Sequence, residues 1–395
     1  MKPSHCRFQS ERLRYSFASL FNQKTLVLSM KILILSNNAG GLYSFRKEVL
    51  TALNEENEVS FCVPYTRYAD KLADLGLRFI MCDVLKRRST NPISDLKLLS
   101  FYKRLLDREK PDMVLTYTIK PNSYGGMVCA SKKIPYIANV TGIGTSIDNG
   151  GLLSFISKTM YKKGLKNAHC VFFQNRSNHD LFVREKLTRG KTTVIPGSGV
   201  NLNEHCAEPY PDDSDGVRFM FAGRVMKDKG IDELIAAFMA VKAEFPNAYL
   251  DICGPYEENY AKLFNSLDKD SGIIYHGPQS DIHSFYKRTH CVVLPSYHEG
   301  TSNVMLEASA TARPVITTRV PGCVETFDEG RTGFGCEAKS VESLAHALRS
   351  VMSISNARRE EMGLAARAKM EREYDRSIVV QAYLDEVQSL KTVRR

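Results

Sequence analysis

Leu294-Pro-Ser-Tyr-His-Glu299-Gly-Thr-Ser-Asn-Val-Met-Leu-Glu307-Ala308 decides how this chain is read. Ahead of it, Cys291-Val-Val-Leu-Pro295 is apolar and β-branched, the pattern of a strand buried on both faces. Behind it, Val304, Leu306, Ala308 and Ala312 mark a helix packed on that strand. The helix is expected to begin at Ser302 or Asn303, both good N-caps. Its open N–H groups and positive dipole end then face the loop, as a phosphate or diphosphate requires. Glu299 in the loop and Glu307 about one turn into the helix can face one ligand, their oxygens accepting from sugar hydroxyls. A nucleotide-sugar fits that donor set. Taken alone, a strand, a turn and a capped helix with two solvated acids fits the stretch as well.

A second element lies upstream. Phe219-Met-Phe-Ala-Gly223-Arg224 reads as a strand ending in glycine, and Val-Met-Lys-Asp-Lys229-Gly230 follows it. Then Leu234, Ile235, Phe238, Val241 and Phe245 repeat at helical spacing. Arg224 and Lys229 thus fall at a strand's carboxyl end, where α/β sheets bind ligands. Arginine offers a diphosphate a bidentate fork and lysine a point charge. In isolation such a loop reads more often as basic and exposed than as a site; beside the glutamate motif it is expected to hold a diphosphate.

Outward from these two loops, strand and helix signals alternate. Lys31-Ile-Leu-Ile-Leu-Ser36, Val59–Val63, Arg78–Cys82, Met113–Tyr117, Tyr136–Val140, Cys170–Phe173 and Thr192–Ile195 read as strands with helical spans between them. Tyr249–Gly254 and Ile274–Gly277 continue the series, with Asp281, Ile282 and Phe285 in a short helix. The fold class is α/β, with doubly wound parallel sheets. Residues 1–29, with Arg7, Arg12 and Arg14 and no periodicity, are read as an extension outside the fold. Thr25-Leu-Val-Leu-Ser-Met30 imitates a signal peptide, but Lys24 and Lys31 interrupt it and a glycine loop follows. The expected domains are residues 30–198 and 199–374, hinged at Pro196-Gly-Ser-Gly199, with a closing helix in 375–395.

Gly223-Arg224, Lys229-Gly230 and Glu299-x7-Glu307 together resemble the donor half of retaining glycosyltransferases of family 4. The first half is similar to the subgroup that elongates polyprenyl-diphosphate-linked oligosaccharides for bacterial surface glycans. Asn37-Asn-Ala-Gly40-Gly41-Leu-Tyr-Ser-Phe-Arg46, Lys120-Pro-Asn122, Asn139-Val-Thr-Gly142-Ile-Gly144-Thr and Gln174-Asn175 carry that likeness. The resemblance implies a GT-B fold, two Rossmann-like domains facing a cleft, with the C-terminal helix crossing back to the first. It implies a front-face transfer in which the donor's own phosphate oxygen takes the acceptor's proton. Arg224 and Lys229 would stabilise the departing diphosphate, Glu299 would hold the transferred hexose and Glu307 the ribose. Gly40, Gly41, Gly223, Gly254, Asp281, Ile282, Gly300, Thr301, Ser302 and Asn303 would complete the donor site. Lys120, Asn122, Gly142 and Gly144 would lie on the acceptor side. Gly40-Gly41 also reads plainly as a tight turn after the first strand. The chain departs from the family in having no histidine near Tyr117-Thr-Ile-Lys120-Pro-Asn122, which leaves His298 as the candidate cleft histidine.

Composition narrows the remaining classes. Ten cysteines are scattered without a Cys-x-x-Cys pair, so buried thiols in a reducing cytosol are expected and a zinc site is not. Gly-x-Gly-x-x-Gly is absent before a helix, which disfavours a nicotinamide enzyme. No cofactor and no metal are expected, since two cations and a helix dipole meet the diphosphate. The net charge of +10 comes without an aromatic–basic recognition motif, so nucleic acid is not an expected partner. Leu152 to Lys166 mixes large apolar residues with four lysines, the pattern of an interfacial helix or of a packed surface helix. The expected partners are an NDP-sugar, with UDP the favoured nucleotide, a polyprenyl-diphosphate-linked saccharide and the inner membrane surface, placing the chain peripherally in the cytoplasm. A UDP-sugar 2-epimerase of the same fold and a non-catalytic scaffold are the alternatives.

Overall fold

Residues 29–85, 91–142 and 151–393 are described in a computed structural model. Seven parallel strands form the first sheet: β1 Lys31–Leu35, β2 Glu58–Val63, β3 Arg78–Met81, β4 Met113–Tyr117, β5 Tyr136–Val140, β6 Cys170–Phe173 and β7 Lys191–Val194. Their order is β3-β2-β1-β4-β5-β6-β7. The second sheet has β8 Val217–Ala222, β9 Ala248–Cys253, β10 Ile273–Gly277, β11 Cys291–Leu294, β12 Val315–Thr318 and β13 Gly333–Cys336, in the order β10-β9-β8-β11-β12-β13. Each order reverses direction once, between β1 and β4 and between β8 and β11. Crevices for ligands open at the carboxyl ends of such reversals. The apolar runs are central strands: β4, β5 and β11 are buried along their whole length. The two doubly wound sheets expected from the alternation are present, with strand ends within a residue or two of the sequence reading.

Helices cover both faces of each sheet. On one face of the first sheet lie α1 Ala39–Glu56 and α2 Arg67–Ala73. On the other lie α3 Pro92–Glu109, α4 Gly126–Ser131 after a π-turn at Pro121–Gly125, α5 Gly151–Leu165 and α6 Arg176–Arg184. The second sheet carries α7 Ile231–Glu244, α8 Ala261–Ser266, α9 His283–Arg288, α10 Asn303–Ala310, α11 Val341–Ser353 and α12 Asn356–Lys369. The last helix, α13 Arg376–Val393, returns to the first domain, where Val379, Tyr383, Val387 and Leu390 join the core beneath α1. The chain therefore passes twice between the domains. Both passages are tied together, because the Val200 N–H donates to the Tyr374 carbonyl at 2.8 Å and the Arg376 N–H to the Val200 carbonyl at 3.0 Å. Arg376 Nη1 also donates to both carboxylate oxygens of Glu48 of α1 at 2.9 Å.

One local expectation is corrected. Gly40 and Gly41 are not a tight turn but the first turn of α1, with φ outside the left-handed region. Asn38 makes this possible by capping the helix, its Oδ1 accepting from the Gly40 N–H at 2.9 Å.

Candidate active site

Between the two sheets lies a cavity of about 960 Å³. Its floor on the second domain is built by the two loops that follow β8 and β11. After β8 the chain makes a single 3₁₀ turn, Lys227–Lys229, and leaves it through Gly230 at φ +71°. A Cβ on Gly230 would stand 2.2 Å from the Pro295 carbonyl oxygen, so only glycine lets this loop lie against the next one. That contact sets Lys229 beside Glu299, and their side chains form an ion pair that is 16% and 15% exposed. Arg224 stands at the rim, 40% exposed and 3.7 Å from Glu257. Tyr297 is braced from below, its hydroxyl donating to Glu233 Oε1 at 2.6 Å.

The helix after β11 starts where the sequence expects, with Ser302 at the N-cap position and α10 running from Asn303, but the Ser302 side chain makes no capping bond. Not all of the expected anion-binding groups are open. The Ser302 N–H donates to the Gly322 carbonyl at 2.8 Å, so the donors left over are those of the first helical turn, Asn303 onward. Glu307 sits one turn in, partly open to solvent, with the Tyr286 hydroxyl 3.4 Å away. Burial pushes its carboxyl up to about 7, with the Arg376 charge and the Tyr286 hydrogen bond pulling slightly the other way.

The opposing wall comes from the first domain and touches the loop after β11 directly. Asn175 Nδ2 donates to the Gly300 carbonyl at 2.6 Å, while its Oδ1 caps α6 by accepting from the Asn178 N–H at 2.8 Å. Thr301 Oγ1 donates to the Gln174 carbonyl at 2.9 Å. Gly300 has no room for a side chain, since a Cβ would lie 2.0 Å from the Thr141 carbonyl oxygen. Gly142, at φ +143°, faces the same glycine. The strand-end residues Thr141, Gln174 and Asn175 thus grip the loop that carries Glu299.

The sequence-derived residues divide by position. Arg224, Lys229, Glu299, Gly300, Gly142, Lys120 and His298 line the cavity. Lys120 is also paired with Asp95 of α3 at 2.7 Å. Asn122 is fully buried: its Oδ1 accepts from Thr116 Oγ1 at 2.7 Å and its Nδ2 donates to the Asn139 carbonyl at 2.8 Å. It braces β4 against β5 rather than lining the cleft. Gly223 and Gly254 close up the β8 and β9 ends, a Cβ on Gly254 lying 1.7 Å from the Gly223 carbonyl oxygen. Asp281 caps α9, its Oδ1 accepting from the His283 N–H at 3.1 Å, and Ile282 packs on the second core. Gly144 lies outside the described residues. One stripe was not anticipated: Ser177, Asp180, Leu181 and Arg184 of α6 form a cavity wall. Their three- and four-residue spacing was readable, but a polar helix stripe ordinarily faces water.

Among the described residues, no group of three or more His, Cys, Asp or Glu side chains is arranged to hold a metal ion. No described helix is long and apolar enough to cross a membrane. The described cysteines are free thiols, all buried except Cys206.

Two family models cover most of the chain: "Glycosyl transferase 4-like" over residues 31–175 and "Glycosyl transferases group 1" over residues 207–369. The N,N'-diacetylbacillosaminyl-diphospho-undecaprenol alpha-1,3-N-acetylgalactosaminyltransferase of Campylobacter jejuni is 29% identical over 376 residues, 90% of this chain and 97% of that protein. The capsular polysaccharide biosynthesis glycosyltransferase CapM of Staphylococcus aureus is 28% identical over 74% of this chain and 80% of its own length. In fold, the chain is similar to a sucrose-phosphate synthase from Thermosynechococcus elongatus, with a TM-score of 0.76 at 16% identity over 92% of this chain and 100% of that one. Anabaena Alr3699/HepE in complex with UDP-glucose gives 0.73 at 17% identity over 91% of this chain and 100% of that one. With both sheets, the cleft between them and these matches in agreement, the chain belongs to the group 1, 4-like glycosyltransferases and is a glycosyltransferase of the GT-B type.

Proposed function

We propose that the chain is a retaining transferase that moves a hexose or N-acetylhexosamine from a UDP-sugar to a polyprenyl-diphosphate-linked saccharide during surface-glycan synthesis. The observation that carries the reading is the cleft itself, where Arg224, Lys229 and Glu299 face the first-domain wall of Lys120, Gly142 and α6. The relatives lend it support: one is named for a diphospho-undecaprenol saccharide and another for capsular polysaccharide, and a fold neighbour holds UDP-glucose. The chain would work peripherally at the cytoplasmic face of the membrane, where such acceptors are displayed.

In this reading the diphosphate lies across the start of α10, within reach of Arg224 and Lys229. The bond between the sugar's anomeric carbon and the donor phosphate oxygen breaks, and the acceptor oxygen bonds to that carbon on the same face. The acceptor's proton passes to the departing phosphate oxygen. Arg224 and Lys229 offset charge that grows only as the bond breaks, so they act on the transition state more than on the bound donor. Glu299 accepts from the hexose hydroxyls and Glu307 from the ribose hydroxyls.

The test is UDP release from a panel of UDP-hexoses and UDP-N-acetylhexosamines, with membranes carrying lipid-linked acceptor and with EDTA present. Acceptor-dependent release from one sugar, lost in Glu307→Ala, is the expected result. Silence across this panel and across GDP-sugars would refute the transferase reading as stated. Turnover of a UDP-sugar alone to an isomeric sugar nucleotide would assign an epimerase instead.

A further inference from the structure

Four large apolar side chains stand in solvent at one end of the first domain. Ile93 and Leu96 at the start of α3 are 64% and 67% exposed, and Phe155 and Ile156 at the start of α5 are 69% and 44% exposed. The topology explains why they share an edge. Both helices cover the same sheet face, α3 through Leu98, Tyr102 and Leu105, α5 through Tyr161 and Leu165. Each leads into a parallel strand, so each begins at the carboxyl edge of the sheet, the edge that opens on the cleft. Tyr124 lies between them, with Asp95 of α3 beside it and its hydroxyl 3.9 Å from Met160 Sδ of α5. A groove of about 250 Å³ runs past Tyr124, Met127, Phe155, Ile156 and Met160 to Lys163.

Cations follow the apolar tips on the same outward faces. Along α3, Lys97, Lys103 and Arg104 are exposed, with Asp107 on the same face paired to Lys132; along α5, Lys162 and Lys163 are exposed, with Lys166 just beyond. From Gly151 to Lys166 there are four lysines and no carboxylate; Lys158 pairs with Glu185 at 2.8 Å, which leaves Lys162, Lys163 and Lys166 for the headgroups. Two helices thus repeat one arrangement, large apolar residues at the cleft edge and positive charge behind them. We propose that this two-helix platform docks the chain on an anionic bilayer, with Ile93, Leu96, Phe155 and Ile156 at the acyl boundary and the lysines among the headgroups. The inference deepens the functional reading and rests on it for the acceptor being lipid-linked. Lys120 connects the two regions, lining the cleft while pairing with Asp95 at 2.7 Å, one residue from Leu96. A lipid held at the platform therefore presents its headgroup at the cleft wall. A second copy of the chain fits the platform poorly, because isologous pairing would set lysines against lysines.

Flotation of the full chain tests this, using phosphatidylcholine vesicles with and without about one third phosphatidylglycerol. The wild type is expected to float with the anionic vesicles and to be weakened by salt. Leu96→Ser with Phe155→Ser should lower partitioning about 10- to 100-fold, from the loss of two inserted apolar side chains. Lys162→Ala with Lys163→Ala should lower it about tenfold on anionic vesicles only. All four sites are exposed, so melting temperatures should hold, and UDP release with a short-chain, water-soluble acceptor should stay within about twofold of wild type. Vesicle binding unchanged in both variants, or absent in the wild type, overturns the platform even if transfer to the soluble acceptor persists. A concentration-dependent dimer that Leu96→Ser with Phe155→Ser abolishes, seen by sedimentation without vesicles, assigns the face to a second copy and also overturns it. Loss of flotation in the variants alongside no transfer to any acceptor supports the platform and refutes the functional reading alone.

Discussion

Glu307→Gln should stabilise the empty protein and weaken its grip on nucleotide, two effects of opposite sign from one atom pair. Burial holds this carboxyl near 7 instead of the usual 4.5, with only a 3.4 Å contact from the Tyr286 hydroxyl beside it. A carboxyl whose native value exceeds its unfolded one lends stability that is full below about 4.5 and is lost as pH rises through about 7. Keeping Glu307 ionised above that point costs the fold at most about 3 kcal/mol, the equivalent of the gap between the two values. Partial contact with solvent reduces this to about 1–2 kcal/mol. The amide has the same shape and no charge to bury, so at pH 8 the apparent melting temperature should rise by about 2–6 °C. The gain should shrink severalfold by pH 5, where the native carboxyl is already protonated. In the proposed ribose-binding role a bound nucleotide reverses the balance, because an ionised carboxylate accepts from both ribose hydroxyls and an amide does so less well. UDP affinity measured by calorimetry should fall about 10- to 100-fold in the variant. In the wild type it should strengthen as pH rises through about 7. A variant destabilised at pH 8, or one that binds UDP as tightly as wild type at every pH, refutes the assignment of Glu307 to the ribose.

Other perturbations separate charge from scaffold. Arg224→Ala should lower kcat by about 10²–10³ with the melting temperature unchanged, since the side chain is exposed at the rim. Lys229→Ala should lose as much rate and also stability, because Glu299 is left mostly buried without its partner. Lys229→Met combined with Glu299→Gln should recover the melting temperature and none of the rate. Gly300→Ala should lower kcat/KM by at least about 10² with substrates of any acceptor length, because a Cβ 2.0 Å from the Thr141 carbonyl oxygen forces the cleft apart. Small-angle scattering should show the larger radius; an unchanged radius and rate would mean that the loop yields instead. Asn175→Ala removes both the bond to the Gly300 carbonyl and the cap on α6, and should cost about 1–2 kcal/mol of stability.

The two cleft loops of the second domain were legible because their signals are local. A β-branched run, an N-cap and two acids within one short stretch specify β11, its loop and α10 with little help from the rest of the chain. The same holds for Arg224 and Lys229, which a strand and an adjoining helix bracket. Asn122 was misplaced because its partners, Thr116 and the Asn139 carbonyl, are set by how β4 and β5 pair, which no short window reveals. The α6 wall stayed hidden for a related reason. Ser177, Asp180 and Arg184 have the spacing of a solvated face, and only the Gly300 loop packed opposite turns that face into a cleft wall. Gly40 and Gly41 misled in another way: a glycine pair after a strand is usually a turn, but Asn38 in front of it offers a helix cap. Local propensity yielded to a capping hydrogen bond.

The grip of Asn175 and Gln174 on Gly300 and Thr301 also bears on turnover. Those two contacts sit beside Glu299, so the domains cannot part without slackening the loop that, in the proposed reading, holds the sugar. On that reading, departure of the nucleotide and disassembly of the sugar site become a single swing of one domain through water. Such a swing is damped by friction, and a catalytic cycle governed by it slows in step with the viscosity of the medium, whatever the chemistry of the bond being made.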